Sequence, residues 1–309
     1  MAVKVVVLGD VLAQLTVQAD KLPRPHQHIP GDGFAQAGAG HGAQQAIAAA
    51  RLGASVTFIG RVGDDVNGAL VRQLLAAAGV GTDAISTDAT HPTGVHLRFS
   101  DATGRAMGAI VTGANAHLTE QHIKAAEPVI AAADVLVTQL ALPTDATARA
   151  LELARQHGVR TVLKPTPFTT AAERLLHWVD VLTPNETELR ALAQHTATTN
   201  TPPGQVHVCT LGAAGAQWFR QQGGEMQTGR MPGFTVRAVD VAGAGEVFSA
   251  ALAVRLAEAA PLPEAIRFAN GAGALATTVQ GGWPSAPSRG AITALITQKQ
   301  AANQLPQTE

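Results

Sequence analysis

The sequence predicts an α/β protein, with one mainly parallel sheet covered by helices on both faces and a small β-sheet flap beside it. Apolar, β-branched runs alternate with alanine-rich helical stretches, as buried parallel strands and their crossover helices do. Glycines close several of those helical stretches, and two segments rich in turn residues interrupt the alternation in the N-terminal half.

Val3–Leu8 is a continuous apolar run ending at Gly9-Asp10; it lacks a cationic leader and reads as a strand, neither signal peptide nor membrane span. Val11–Gly38, with Pro23, Pro25, Pro30, Gly31 and Gly33, is hairpin material. Gln44–Leu52 is a helix stopped by Gly53, Ser55–Ile59 a strand, and Val66–Ala78 a helix stopped by Gly79. Thr93–Gly113 forms a second hairpin, with Val95–Phe99 and Ala109–Thr112 across an Asp101-Ala102-Thr103-Gly104 turn. Strand Val135–Thr138, helix Asp145–His157 with its stop Gly158, strands Thr161–Leu163 and Val181–Leu182, helix Glu186–Gln194 and strand Val206–Thr210 continue the alternation. An alanine-rich helix then follows Gly245 and stops at Pro261. No repeat, charge block or linker divides the chain, so 1–297 reads as one unit with flap segments at 11–38 and 93–113; 298–309 is a Gln-rich polar tail expected to fray.

The 309 residues are ample for a buried core. A formal net charge of −1 gives no basic footprint for nucleic acid, and no later apolar run is long enough to cross a bilayer. The single cysteine, Cys209, excludes an intramolecular disulfide and a Cys-based zinc site, and a reducing, cytoplasmic compartment is the economical reading. The 11 histidines form no His-x-x-x-His pair with a carboxylate, and no serine sits in a Gly-x-Ser-x-Gly elbow, so zinc and serine hydrolases have no support.

The strongest local signal is Val239-Asp240-Val241-Ala242-Gly243-Ala244-Gly245-Glu246-Val247-Phe248. Small residues before a helix leave backbone N–H groups uncovered at the positive end of its dipole, which suits phosphate or a developing oxyanion. Glu246, in the first turn, is placed to take a proton from an attacking hydroxyl, or merely to complement the dipole. Gly38-Ala39-Gly40-His41-Gly42-Ala43 lacks the entering strand and the later acid of a dinucleotide fold; close backbone approach to a small polar ligand explains its glycines better. Asn185 and Glu188, three positions apart at a helix start, could hold waters of a Mg²⁺–phosphate complex or simply cap the helix. Thr210-Leu211-Gly212-Ala213-Ala214-Gly215 is a side-chain-poor turn on which a nucleotide could lie.

In order along the chain, these pieces resemble the ribokinase-like sugar kinases of the PfkB family, from about Val3 to Pro287. The most specific parts are Gly40 to Gly53, Val62-Gly63-Asp64-Asp65, Thr183 to Glu188, Thr210-Leu211-Gly212, Gly243-Ala244-Gly245 and Phe268-Ala269-Asn270. The resemblance implies a ribokinase-like fold, a central mainly parallel sheet flanked by helices with a small β-sheet lid, and ATP-dependent phosphoryl transfer to a sugar hydroxyl. It assigns charge stabilisation to Gly243, Ala244 and Gly245, and the base to Glu246. Asn185 and Glu188 organise Mg²⁺, through water. Asn185, Thr210, Gly212, Gly215 and Asn270 line the nucleotide, and Gln14, Gly40, His41, Gly42, Gln44 and Asp240 the acceptor. A monovalent cation near Asp240 and a homodimer paired lid to lid are further implications, exposed lid edges being otherwise a pairing liability.

The departures cluster on the acceptor side. Where the family has Asp after Gly-Ala-Gly this chain has Glu246, and for Asp-Thr-Thr it has Asp240-Val241-Ala242, without the hydroxyls that favour a monovalent cation. For Gly-Ser-x-Asn-x-Asp it reads Gly9-Asp10-Val11-Leu12-Ala13-Gln14. The Lys and Asn of Gly-Gly-Lys-Gly-Ala-Asn become His41 and Gln44, a Glu becomes Ala141, and the Asn of Asn-Pro-Ala-Pro becomes Lys164. Each lost hydroxyl partner costs about 1–3 kcal/mol. Glu246 reaches roughly 1.5 Å farther than Asp, and a misplacement near 1 Å can cost about a hundredfold in rate. The expectation is a kinase for a sugar or nucleoside other than plain ribose. The competing expectation is a weak or inactive paralogue that keeps the nucleotide- or metabolite-binding scaffold for a regulatory role.

Overall fold

A computed structural model of the chain describes residues 2–195, 204–222 and 224–304. The strands are β1 (Lys4–Leu8), β2 (Leu12–Ala19), β3 (Gly33–Ala39), β4 (Ser55–Gly63), β5 (Val80–Gly81), β6 (Ile85–Asp88), β7 (Val95–Asp101), β8 (Ala106–Val111), β9 (Val135–Thr138), β10 (Arg160–Leu163), β11 (Val181–Leu182), β12 (Val206–Thr210), β13 (Ala216–Gln222) and β14 (Glu225–Met231). The helices are α1 (His41–Arg51), α2 (Val66–Ala77), α3 (Glu120–Ala125), α4 (Glu127–Ala131), α5 (Thr144–Gln156), α6 (Glu186–His195), α7 (Ala244–Ala257), α8 (Leu262–Ala276) and α9 (Arg289–Gln304).

Among the described residues the large sheet has ten strands, in the order β14, β13, β12, β11, β10, β9, β1, β4, β5, with β6 also beside β4. Every pair from β12 to β5 is parallel; only β13 and β14 return antiparallel. The uninterrupted apolar run of β1 follows from burial on both sides. Val5 and Val7 pack with Phe58 against α1, α7 and α8, while Val6 and Leu8 pack with Ile59 and Leu136 against the layer holding α3 and α5. Each such fully buried side chain contributes about 1.5–3 kcal/mol relative to exposure.

A separate four-stranded sheet runs β3, β2, β7, β8, with β2 and β7 parallel and each carrying an antiparallel partner. The two sequence-expected hairpins thus combine into one small sheet. Strand alternation gives it two unlike faces. Gln14, His96 and Arg98 line a cleft, whereas Phe34, Leu97, Phe99 and Met107 are exposed.

Several boundaries differ from those the sequence suggests; β4 runs on to Gly63 rather than ending at Ile59, and α1 starts at His41 rather than Gln44. The alanine-rich helix does not run to Pro261: α7 ends at Ala257, Ala259 turns the chain with φ of 60°, and Pro261 caps α8. The hairpin strand expected at Ala109–Thr112 starts earlier, at Ala106, because Asp101 accepts the backbone N–H groups of Thr103 and Arg105 and tightens the turn. Helix α9 extends through 298–304 of the expected polar tail, and 305–309 lie outside the described residues.

Candidate functional site

The chemistry-bearing residues gather at the carboxyl ends of the parallel strands. Asp10 follows β1, Ala141 follows β9, Lys164 follows β10, Asn185 and Glu188 follow β11, and Gly212 and Gly215 follow β12. Open α/β sheets bind ligands along this edge.

Helix α7 begins beneath it. Gly243 is its N-cap in the left-handed region, at φ 82°, and makes no side-chain cap. An added Cβ there would lie 2.7 Å from the Gln44 amide nitrogen, so glycine satisfies both the backbone conformation and the space. In the first turn of the 14-residue helix the Ala244 N–H donates to the Val241 carbonyl at 3.3 Å, which leaves the Gly245 N–H without a partner at the helix's positive end.

Helix α1 enters from the other side, pinned by Asp10, whose carboxylate accepts the Gly42 N–H at 3.0 Å. A Cβ on Gly42 would stand 2.4 Å from the Gly9 Cα, so the helix start and the end of β1 touch backbone to backbone. This contact delivers His41, whose Nδ1 lies 2.8 Å from Glu246 Oε1. Burial pushes the Glu246 carboxyl up, but the His41 hydrogen bond and the Lys164 and His41 charges outweigh it and hold it below its ordinary value. Burial pulls His41 down, and the Glu246 hydrogen bond with the Asp10 charge raises it above its ordinary value. For Asp10, burial prevails and raises the carboxyl despite its hydrogen bonds.

Three adjoining cavities share this helix start. One, of about 420 Å³, lies under the small sheet and reaches Asp10, Leu12, Gln14, His41, Ala141 and Glu246. A second, of about 390 Å³, is lined by Thr210, Gly212, Gly215, Phe248 and Asn270 beside Ala244 and Gly245. A third, also about 390 Å³, joins them and holds Lys164, Asn185, Glu188, Gly243, Gly245 and Glu246.

Several expected ligand contacts are already engaged. Gln44 donates to the Gly282 carbonyl at 2.8 Å and the Ser285 hydroxyl at 3.1 Å, which ties α1 to the segment after α8. Asp240 accepts from the Ala242, Gln280 and Gly281 nitrogens at 2.9–3.0 Å. Gln14 meets His96 at 3.1 Å within the small sheet. Asn270 donates to the Met231 and Pro232 carbonyls at 3.1 and 3.2 Å, shaping the wall of the second cavity.

Asn185 and Glu188 make the reciprocal cap of α6. The Glu188 N–H donates to Asn185 Oδ1 at 2.8 Å, and the Asn185 N–H donates to Glu188 Oε2 at 2.9 Å. The other Glu188 oxygen accepts the Thr166 hydroxyl, and Lys164 Nζ lies 3.4 and 3.5 Å from the two oxygens. With both oxygens engaged beside an ammonium, this donor set does not fit direct coordination of Mg²⁺, which prefers free oxygen ligands. Among the described residues, no cluster of three or more acidic, histidine or cysteine side chains could hold a metal.

Sequence reasoning did not assign roles to Asp10, Lys164, His96 or Arg98. Asp10 and Lys164 stood out only as departures from the family pattern at the end of apolar strands; in a parallel sheet that position faces the ligand edge.

The sequence model for "pfkB family carbohydrate kinase" matches residues 2–289. Ribokinase of Haemophilus influenzae is 33% identical over 296 residues, covering 92% of this chain and 95% of that protein. Ribokinase of Bacillus subtilis is 31% identical over 293 residues, covering 94% and 98%. The structure of Arabidopsis thaliana ribokinase complexed with ribose and ATP superposes with a TM-score of 0.83 at 28% identity, over 96% of this chain and 99% of that one. The ribokinase structure from Thermotoga maritima gives a TM-score of 0.84 at 26% identity, over 96% and 100%. The mainly parallel α/β sheet is thus shared with ribokinases. The chain belongs to the pfkB family of carbohydrate kinases and is ribokinase-like.

Proposed function

We propose that the chain transfers the terminal phosphoryl group of ATP to a hydroxyl of a sugar or nucleoside other than plain ribose. The observation that carries this reading is the position of Glu246 and the start of α7, where the cavity under the small sheet meets the cavity beside Thr210 and Asn270. The acceptor takes the first cavity and the nucleotide the second, with the phosphates toward Gly243, Ala244 and Gly245.

Glu246 removes the acceptor hydroxyl proton as its oxygen bonds to the terminal phosphorus and ADP leaves; the Gly245 N–H and the positive end of α7 meet the charge on the transferred group. The proton resides on the Glu246 carboxyl afterwards and returns to solvent. His41 holds that carboxylate in place at 2.8 Å. Magnesium would accompany ATP and neutralise phosphate charge, with Asn185 and Glu188 meeting it through water.

Leu12 and Ala141 in the cleft wall support an acceptor other than ribose, since neither offers a hydroxyl partner. The exposed apolar face of the small sheet supports a homodimer formed lid to lid.

A screen of sugars and nucleosides with MgATP tests the reading. At least one acceptor should trigger ADP release, and Glu246→Ala should lower that rate about 10²–10⁴-fold. No turnover with any acceptor would overturn the kinase reading and favour a binding or regulatory protein.

A further inference from the structure

We infer that Lys164 is a phosphoryl-contacting residue, its ammonium pairing with the terminal phosphoryl group of ATP at the start of α7. This rests on the nucleotide reading above and adds a residue at a position where the resembling family carries Asn.

Lys164 directly follows β10 and is only 5% exposed. It shares the joining cavity with Gly243, Gly245 and Glu246, and a Cβ built on Gly245 would stand 3.3 Å from its Nζ. The side chain therefore ends against the Gly245 backbone at the α7 N-terminus, with the start of α6 in the same cavity.

That environment disfavours a cation by itself. Two helix N-termini present positive ends to it, and burial removes the water that would solvate the ammonium. Glu188 is the one carboxylate within ion-pair range among the described residues, at 3.4 Å, longer than the roughly 2.7–2.9 Å of a strong charged hydrogen bond. Its oxygens are shared with the Asn185 N–H and the Thr166 hydroxyl, and Glu246 is paired with His41. A buried ammonium, two helix starts and a cavity between nucleotide and acceptor together call for one more anion, and the transferred phosphoryl group supplies it. The misfit of Asn185 and Glu188 to a directly bound Mg²⁺ has the same origin: a fixed ammonium already stands beside them.

Calorimetric titration of ATP and of ADP in EDTA, without divalent cation, reads the contact directly. The native chain should bind ATP about ten- to a hundredfold more tightly than ADP, the range of one charge-assisted hydrogen bond. Lys164→Met should bring the two affinities within about twofold of each other by weakening ATP alone, and Lys164→Arg should keep part of the preference. Equal affinities in the native chain, or an unchanged ratio in Lys164→Met, would overturn the role of Lys164. Should Lys164→Met lose its thermal transition, the native ratio and the arginine variant decide. Failure of the native chain to bind either nucleotide, with or without Mg²⁺, would instead overturn the nucleotide reading, and this inference with it.

Discussion

His41 and Glu246 hold each other at 2.8 Å, and each alters how the other titrates. Glu246 lies below its ordinary value, so its share of stability is present above the unfolded glutamate value of about 4.3 and is lost as pH falls through the lowered one. His41 lies above its ordinary value, so its share is full below about 6.5 and is lost as pH rises through the raised one. His41→Gln should therefore lower the melting temperature most between about pH 4.3 and 6.5, as differential scanning fluorimetry across pH will show. The same variant removes the cation that holds Glu246 ionised, so the acid limb of kcat/KM should move to higher pH. An unmoved limb would mean that His41 serves packing alone.

Helix α1 and β1 meet through Gly42 and Gly9 with no room for a methyl group. Gly42→Ala should cost about 1–3 kcal/mol of folding stability as the two backbones part, seen as a lower urea midpoint at unchanged slope. That contact was legible only as a glycine cluster, because spacing between elements is not written in one of them. Six of the parallel strands were legible to within a few residues, since burial on both sides leaves an unbroken apolar run such as Val135–Thr138, whereas the short β5 and β6 were not. Strands β13 and β14 were not: sequences such as Glu225–Met231 are largely exposed and polar, and β13 joins the sheet antiparallel to β12 only through the turn at Gly212–Ala214. In the site, Gly243 to Glu246 could be read because small residues at a helix start carry a local meaning. Lys164 could be read only as a departure, because its importance comes from strand order, which sets β10 and β11 beside the start of α7.

Across the whole molecule, the small sheet presents one face to the cleft and the other to solvent, where Phe34 is 65% and Met107 49% exposed. Sheet edges with apolar surface of this kind are pairing sites. Light scattering at micromolar concentration should report a homodimer, and Phe34→Asp combined with Phe99→Asp should leave a monomer of unchanged helical content. A monomeric native chain would remove the proposed lid-to-lid pairing. On the opposite side of the cleft, Asp240 fastens the approach to α7 onto Gln280 and Gly281, while Gln44 reaches Gly282 and Ser285. These links join two loops, distant in sequence, into one braced floor. Room for a ligand to enter or leave then has to come from the roof, so the pace of exchange is a property of the small sheet and of whatever that sheet is pressed against.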